Sequence, residues 1–121
     1  IDAARSLIYT TAKAIDSGMP ARETRRLVSE AKKFTTDSVQ KAANHAMQVM
    51  GGIGYTNVYP VERICRDLRL ASIWTGSNEI MSMIIAHEWY QEYIKLRQEE
   101  KIRDVETDAE EAFVEDEKIY E

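Results

Sequence analysis

The sequence predicts an all-α fold: an antiparallel up-and-down helical bundle with a short accessory helix and an acidic C-terminal extension. Three observations carry this. Small and apolar residues recur at steps of three and four through most of the chain, the spacing of one helix face. Gly and Pro punctuate the periodic stretches where helix ends need them. No stretch alternates apolar and polar residues as a half-buried strand does. At 121 residues the chain is long enough for one domain with a core, which we place at residues 1–98, with an amphipathic tail or linker over 99–121.

The first helix is marked by Ala4, Leu7, Ile8, Thr11, Ala14 and Ile15, and Gly18 and Pro20 stop it. A second runs from about Glu23 to Met50, with Leu27, Ala31, Phe34, Ser38, Ala42, Ala46 and Val49 on one face. It would be about 40 Å long, and its small residues let neighbouring helices approach closely. Gly51 stands where a helix exit favours a left-handed residue. Pro60 suits the first turn of the accessory helix, whose inner face is Val61, Ile64, Cys65 and Leu68. Ser77 is placed to cap the last helix, with Glu79 in its first turn, and Ile80, Met83, Ile84, His87 and Ile94 mark its inner face. In the tail, Ile102, Val105, Ala109, Ala112 or Phe113, and Ile119 keep a helical rhythm among dense acids, which fits either a docking helix or a solvated connector.

Charge is divided unevenly. From Glu99 to Glu121 there are eleven acidic and three basic residues, against ten acidic and thirteen basic in the rest. The body is mildly basic and the tail strongly acidic. Basic residues are dispersed rather than clustered with aromatics, so no nucleic-acid footprint is present. No apolar run nears the roughly 20 residues of a membrane span. One cysteine, Cys65, excludes an intrachain disulfide and makes a reducing compartment the default. The chain starts in a helical pattern without an initiator Met or a targeting segment, as a piece of a longer protein would. His45 and His87 lack further ligands at metal spacing, so no metal is expected.

Two segments hold candidate chemistry. Gln48-Val-Met-Gly-Gly-Ile-Gly54 is a glycine-rich helix exit. It is either a cap and tight turn, or a place where a ligand approaches backbone unobstructed by Cβ atoms, and Gln48 offers such a ligand both a donor and an acceptor. Gly76-Ser77-Asn78-Glu79 is a helix start, whose N–H groups and dipole suit an ordinary Ser cap or an anionic group. Trp74 beside it is a flat apolar wall, equally suited to a core or to covering a ligand.

Taken together, Gln48 to Asp67 and Ile73-Trp-Thr-Gly-Ser-Asn-Glu-Ile80 resemble the C-terminal helical domain of the flavin-dependent acyl-CoA dehydrogenases, the likeness covering roughly Ile1 to Tyr93. The resemblance implies FAD as cofactor, an acyl-CoA thioester as substrate and assembly into a homodimer or tetramer. It also implies an electron-transfer flavoprotein among the partners and a cytoplasmic location, or the mitochondrial matrix in a eukaryote. Carried over position by position, Gln48, Gly51 and Gly52 match contacts to the adenosine end of FAD held mainly by a neighbouring subunit. Ser77, Asn78 and Glu79 match cofactor-facing positions, and Trp74 and Gly76 substrate-facing ones. Arg63, Arg66 and Asp67 match a segment expected to form exposed salt bridges.

One position departs from the family. Most members place the catalytic glutamate where this chain has Thr75. A threonine hydroxyl stays protonated near neutrality and cannot take the α-proton. Either the base comes from another helix upstream of Ile1, or the protein is a flavoprotein relative of altered chemistry, such as an oxidase. A helical scaffold or oligomerisation module without cofactor is the alternative from another class. By itself the domain should bind FAD poorly and lack activity, because only one edge of the implied site lies within it.

Overall fold

A computed structural model describes residues 1–99. Four α-helices follow one another: α1 (Asp2–Asp16), α2 (Ala21–Met50), α3 (Val61–Ala71) and α4 (Asn78–Gln98), with a 3₁₀ segment Gly51–Tyr55 after α2. Among the described residues there is no strand. The chain forms two compact units, Ile1–Glu88 and a second that starts at Trp89. Residues 100–121, with nearly all of the acidic tail, lie outside the described residues.

Each helix end follows from local chemistry. Gly18, at φ +79°, donates its N–H to Ile15 O at 3.0 Å, and Met19 donates to Ala14 O at 3.3 Å. These are the two bonds of a Schellman motif, and they close α1. Only four residues then separate α1 from α2, so the two pack as an antiparallel hairpin. At 30 residues, α2 is roughly 45 Å long and is the spine of the first unit, touching α1, α3 and the 3₁₀ segment. Gly51 ends it at φ +64°, ψ −153°, a region essentially closed to residues with a Cβ. Gly54 is needed for room: a Cβ there would stand 2.7 Å from Met50 Cβ and 3.1 Å from Met47 O.

The interior is small and mixed. Ala4, Ala31, Ala43, Val61 and Met81 are buried together with Thr11, Ser29, Ser72, Asn78 and Glu88. The stripes expected from periodicity are met in part. Leu27, Ala31, Ser38 and Ala42 are buried or half-buried, whereas Phe34, Ala46 and Val49 of the same stripe are exposed. On α3, Val61, Cys65 and Leu68 turn inward and Ile64 is exposed. On α4 the expected inner face holds only in part: Ile84 and Ile94 are half-buried, Ile80, Met83 and His87 are exposed, and Asn78, Met81 and Glu88 are buried. The reason is the way α4 attaches. Hydrogen bonds and ion pairs tie it to α2, so Asn78 and Glu88 share the buried face with Met81.

Candidate functional site

The loop from α3 to α4 is built as a tight hairpin of backbone. Ser72, buried at the end of α3, accepts from Arg69 Nη1 at 2.7 Å and donates its hydroxyl to Arg69 O at 2.8 Å. Its carbonyl accepts the Asn78 N–H at 3.1 Å, so the chain leaves and returns at one point. Between them, Trp74 N–H is held by Leu70 O at 3.0 Å. Thr75 and Gly76 make the reversal with φ of +51° and +95°. A β-branched residue in the left-handed region is an outlier and costs roughly 1–2 kcal/mol. Thr75 is exposed, and its hydroxyl is turned back on Trp74 O at 2.8 Å. Gly76 has a further constraint: a Cβ on it would lie 2.5 Å from Met81 Cε.

Ser77 caps α4 as expected, its Oγ accepting the Ile80 N–H at 3.4 Å. The Ser77 hydroxyl and the backbone N–H of Glu79 itself donate to the Glu79 carboxylate and hold it below its ordinary pKa. A carboxylate so stabilised is a poorer proton acceptor.

Asn78, which the resemblance groups with Ser77 and Glu79 at cofactor-facing positions, turns its side chain into the protein. Its Nδ2 donates to Asp37 Oδ1 at 2.7 Å and Thr36 Oγ1 at 2.9 Å, while its Oδ1 accepts from Lys32 Nζ at 2.7 Å. Thr36 in turn donates to Lys32 O at 2.9 Å. The same Lys32 ammonium donates to Gly76 O at 2.8 Å. Asp37 feels opposing influences. Partial burial works against its charge, but donation from Lys33 and Asn78 and the fields of Lys33 and Lys41 outweigh it, and its pKa falls below the ordinary value. Lys32, Thr36 and Asp37 were not singled out in the sequence, because charged and hydroxyl residues on a long helix read as a solvated face. Their one trace is the i, i+4 spacing of Lys32 and Thr36, which puts them on one side of α2.

The glycine exit is a separate place. Gln48, Gly51 and Gly52 are exposed, and among the described residues no neighbouring group lies within 4 Å of where a Cβ on Gly51 or Gly52 would stand. Gly51 needs to be glycine for its φ, whereas neither φ nor crowding within this chain requires Gly52. Lys32–Asp37 and Gly51 are separated by 14 to 19 residues of one helix, on the order of 20–30 Å. The structure therefore does not join the two segments into one pocket. Trp74 is 57 % exposed, which removes the reading of it as core within this chain. On α3, Arg66 pairs with Glu62 at 2.6 Å and Arg63 with Asp67 at 4.0 Å, largely in solvent. His45 and His87 are exposed. Among the described residues no group of three His, Cys, Asp or Glu is placed to hold a metal ion, and no helix is long and apolar enough to cross a membrane.

These features define an all-helical domain with a glycine-led turn at the start of its last helix and an open glycine exit at the end of its longest one. Residues 1–89 match the family described as acyl-CoA dehydrogenase, C-terminal domain, and the chain belongs to that family. It is similar to cyclohexane-1-carbonyl-CoA dehydrogenase of Syntrophus aciditrophicus (strain SB), 42 % identical over 95 residues that cover 78 % of this chain and 24 % of that protein. Among solved structures it is similar to the acyl-CoA dehydrogenase from Geobacillus kaustophilus, with TM-score 0.67 and 31 % identity over 73 % of this chain and 22 % of that one. A second similar chain comes from work on the electron transferring flavoprotein of Acidaminococcus fermentans, with TM-score 0.66 and 33 % identity over 70 % of this chain and 22 % of that one. The chain thus spans about a quarter of the length of the curated relatives it matches.

Proposed function

We propose that this domain is part of an FAD-dependent acyl-CoA dehydrogenase that removes hydrogens from the α and β carbons of an acyl-CoA thioester. In this reading it contributes substrate, cofactor and subunit contacts, and the parent takes its base from a residue outside this chain. The observation that carries the reading is the turn at Thr75–Gly76. Thr75 is exposed, is held in a conformation unfavourable for threonine, and by the resemblance stands at the family's position for the proton-abstracting residue. Strain persists where the surrounding structure over-determines it, and it gathers at functional sites.

Gln48, Gly51 and Gly52 would meet one end of the cofactor, and Gly52 supports this because the chain's own packing does not call for a glycine there. At the other segment, Ser77 and Glu79 would face the cofactor and Trp74 and Gly76 the acyl thioester, while Asn78 holds the helix start in place from behind. Bound FAD supplies the hydride acceptor for the β-hydrogen. Within this chain, Trp74 and Thr75 exclude water from the acyl group, and the turn presents its backbone to the thioester. The α-proton must go to a carboxylate, and Thr75 cannot receive it, because its hydroxyl is spent on Trp74 O and stays protonated near neutrality. An electron-transfer flavoprotein as acceptor, and a homodimer or tetramer in a cytoplasmic setting, complete the reading.

Thr75 also favours a second reading, a flavoprotein relative that no longer dehydrogenates. Anaerobic flavin bleaching by a panel of acyl-CoA thioesters, run on the full-length protein, separates the two. A dehydrogenase bleaches with some chain length. Thr75→Ala then lowers the rate a few-fold, whereas removing the carboxylate supplied from elsewhere in the parent costs roughly 10²–10⁴-fold. If wild type bleaches with no thioester, the dehydrogenase reading is lost, and recovery of bleaching by Thr75→Glu would identify a relative that has surrendered its base.

A further inference from the structure

We infer that Lys32, on the middle of α2, is a positioning residue for the Thr75–Gly76 turn. This rests on the reading of that turn as the substrate and cofactor contact. The Lys32 ammonium bridges two acceptors on either side of Ser77: the Gly76 carbonyl at 2.8 Å and Asn78 Oδ1 at 2.7 Å. Asn78 is buried and is itself fixed by Thr36 and Asp37, so the ammonium is one corner of a rigid polar frame rather than a loose surface contact. A hydrogen bond to a charged donor is about twice as strong as a neutral one.

The geometric consequence lies in the next peptide. The Gly76–Ser77 peptide bond is trans, and in a trans peptide the N–H points opposite to the C=O. By drawing Gly76 O toward α2, Lys32 turns the Ser77 N–H away from α2. The N–H groups of Thr75, Gly76 and Ser77 have no acceptor among the described residues, so the open side of the turn presents donors whose direction depends on this clamp. The clamp also opposes the tendency of Thr75 to relax out of the left-handed region. Without Lys32, Gly76 O has no anchor, and the Gly76–Ser77 plane is free to rotate about the permissive glycine.

The test uses the full-length flavoprotein and two readouts. One is kcat and KM per bound flavin with an acyl-CoA thioester. The other is amide hydrogen exchange over Ile73–Ile80, which does not depend on turnover. Lys32→Met should speed exchange of the bonded amides that flank the turn, Trp74 and Asn78, about tenfold and lower kcat/KM per bound flavin about tenfold or more, since small misplacements of reacting groups are costly. Lys32→Arg should recover part of both. If Lys32→Met does not fold, Lys32→Gln, which keeps an uncharged NH2 donor group, should show smaller changes in the same direction. A variant that loses only thermal stability, with exchange at the turn and per-flavin kinetics equal to wild type, overturns the inference and leaves Lys32 as a helix fastener. If wild type turns over no acyl-CoA thioester, it is the reading of the turn that fails, and the exchange measurement still decides whether Lys32 holds it.

Discussion

Asp37 sits where a cation and an amide converge, Lys33 donating at 3.1 Å and Asn78 at 2.7 Å, with Lys41 one turn further along α2. Because its pKa is lower in the fold than its ordinary value near 3.8, folding favours the charged form. The stabilisation is therefore complete above that ordinary value and is lost as the pH falls through it toward the lower folded value. The Lys33 and Asp37 side chains are 37 % and 39 % exposed, and solvent screening limits a pair of this kind to about 0.2–1 kcal/mol. Urea midpoints measured between neutral pH and strong acid should show Asp37→Asn slightly less stable at neutral pH and matching wild type at the acid end. Parallel curves across the whole range would rule out this linkage. Gly76 belongs to the same scale, since any side chain there meets both a positive φ and Met81.

At the scale of elements, the attachment of α4 to α2 depends on polar anchors. The lower one is Asn78 with Lys32, Thr36 and Asp37. The upper one is Glu88, 6 % exposed, which accepts from Arg22 Nε at 3.2 Å and lies 3.4 Å from Arg25 Nη1. The two arginines are about 60 % exposed and can be solvated when their partner is removed, so the cost of losing Glu88 is that of the interactions alone. Charged hydrogen bonds of this kind are worth about 1.5–3 kcal/mol each in favourable sites, so Glu88→Ala should destabilise the full-length protein by about 1–3 kcal/mol. Arg22→Ala should cost clearly less, because Arg25 remains. Thermal denaturation of both variants checks this, and equal losses would contradict the shared anchor.

For the whole molecule, the distribution of apolar surface is the controlling fact. Among the described residues no large side chain is completely buried, while Ile8, Phe34, Val49, Tyr55, Trp74, Met83 and Trp89 are all substantially exposed. So many exposed large apolar side chains accord with a chain spanning about a quarter of its relatives, the rest of which could cover them. The domain should therefore self-associate in isolation. Sedimentation velocity over a wide concentration range should show species larger than the monomer, and a lone monomer at the highest concentration would count against it.

The sequence by itself determined the helices and the family. The periodicity of α1 and α2, the Gly18 stop, the Gly51 exit and the Ser77 cap are local features, set by backbone conformation and capping within a few residues, and each is where the sequence placed it. The Gln48–Asp67 and Ile73–Ile80 motifs were enough to indicate the acyl-CoA dehydrogenase C-terminal domain, because they fix residue identity and spacing together. Tertiary structure decided which faces turn inward. Periodicity finds an apolar stripe but not what covers it, so Ile80 and Met83 read as core although α4 is tied to α2 through Asn78 and Glu88. It also decided that Asn78 serves the frame behind the turn and that Lys32, some forty residues earlier, reaches Gly76. A hydrogen bond between distant segments depends on how two helices pack, and no local pattern in either segment encodes that.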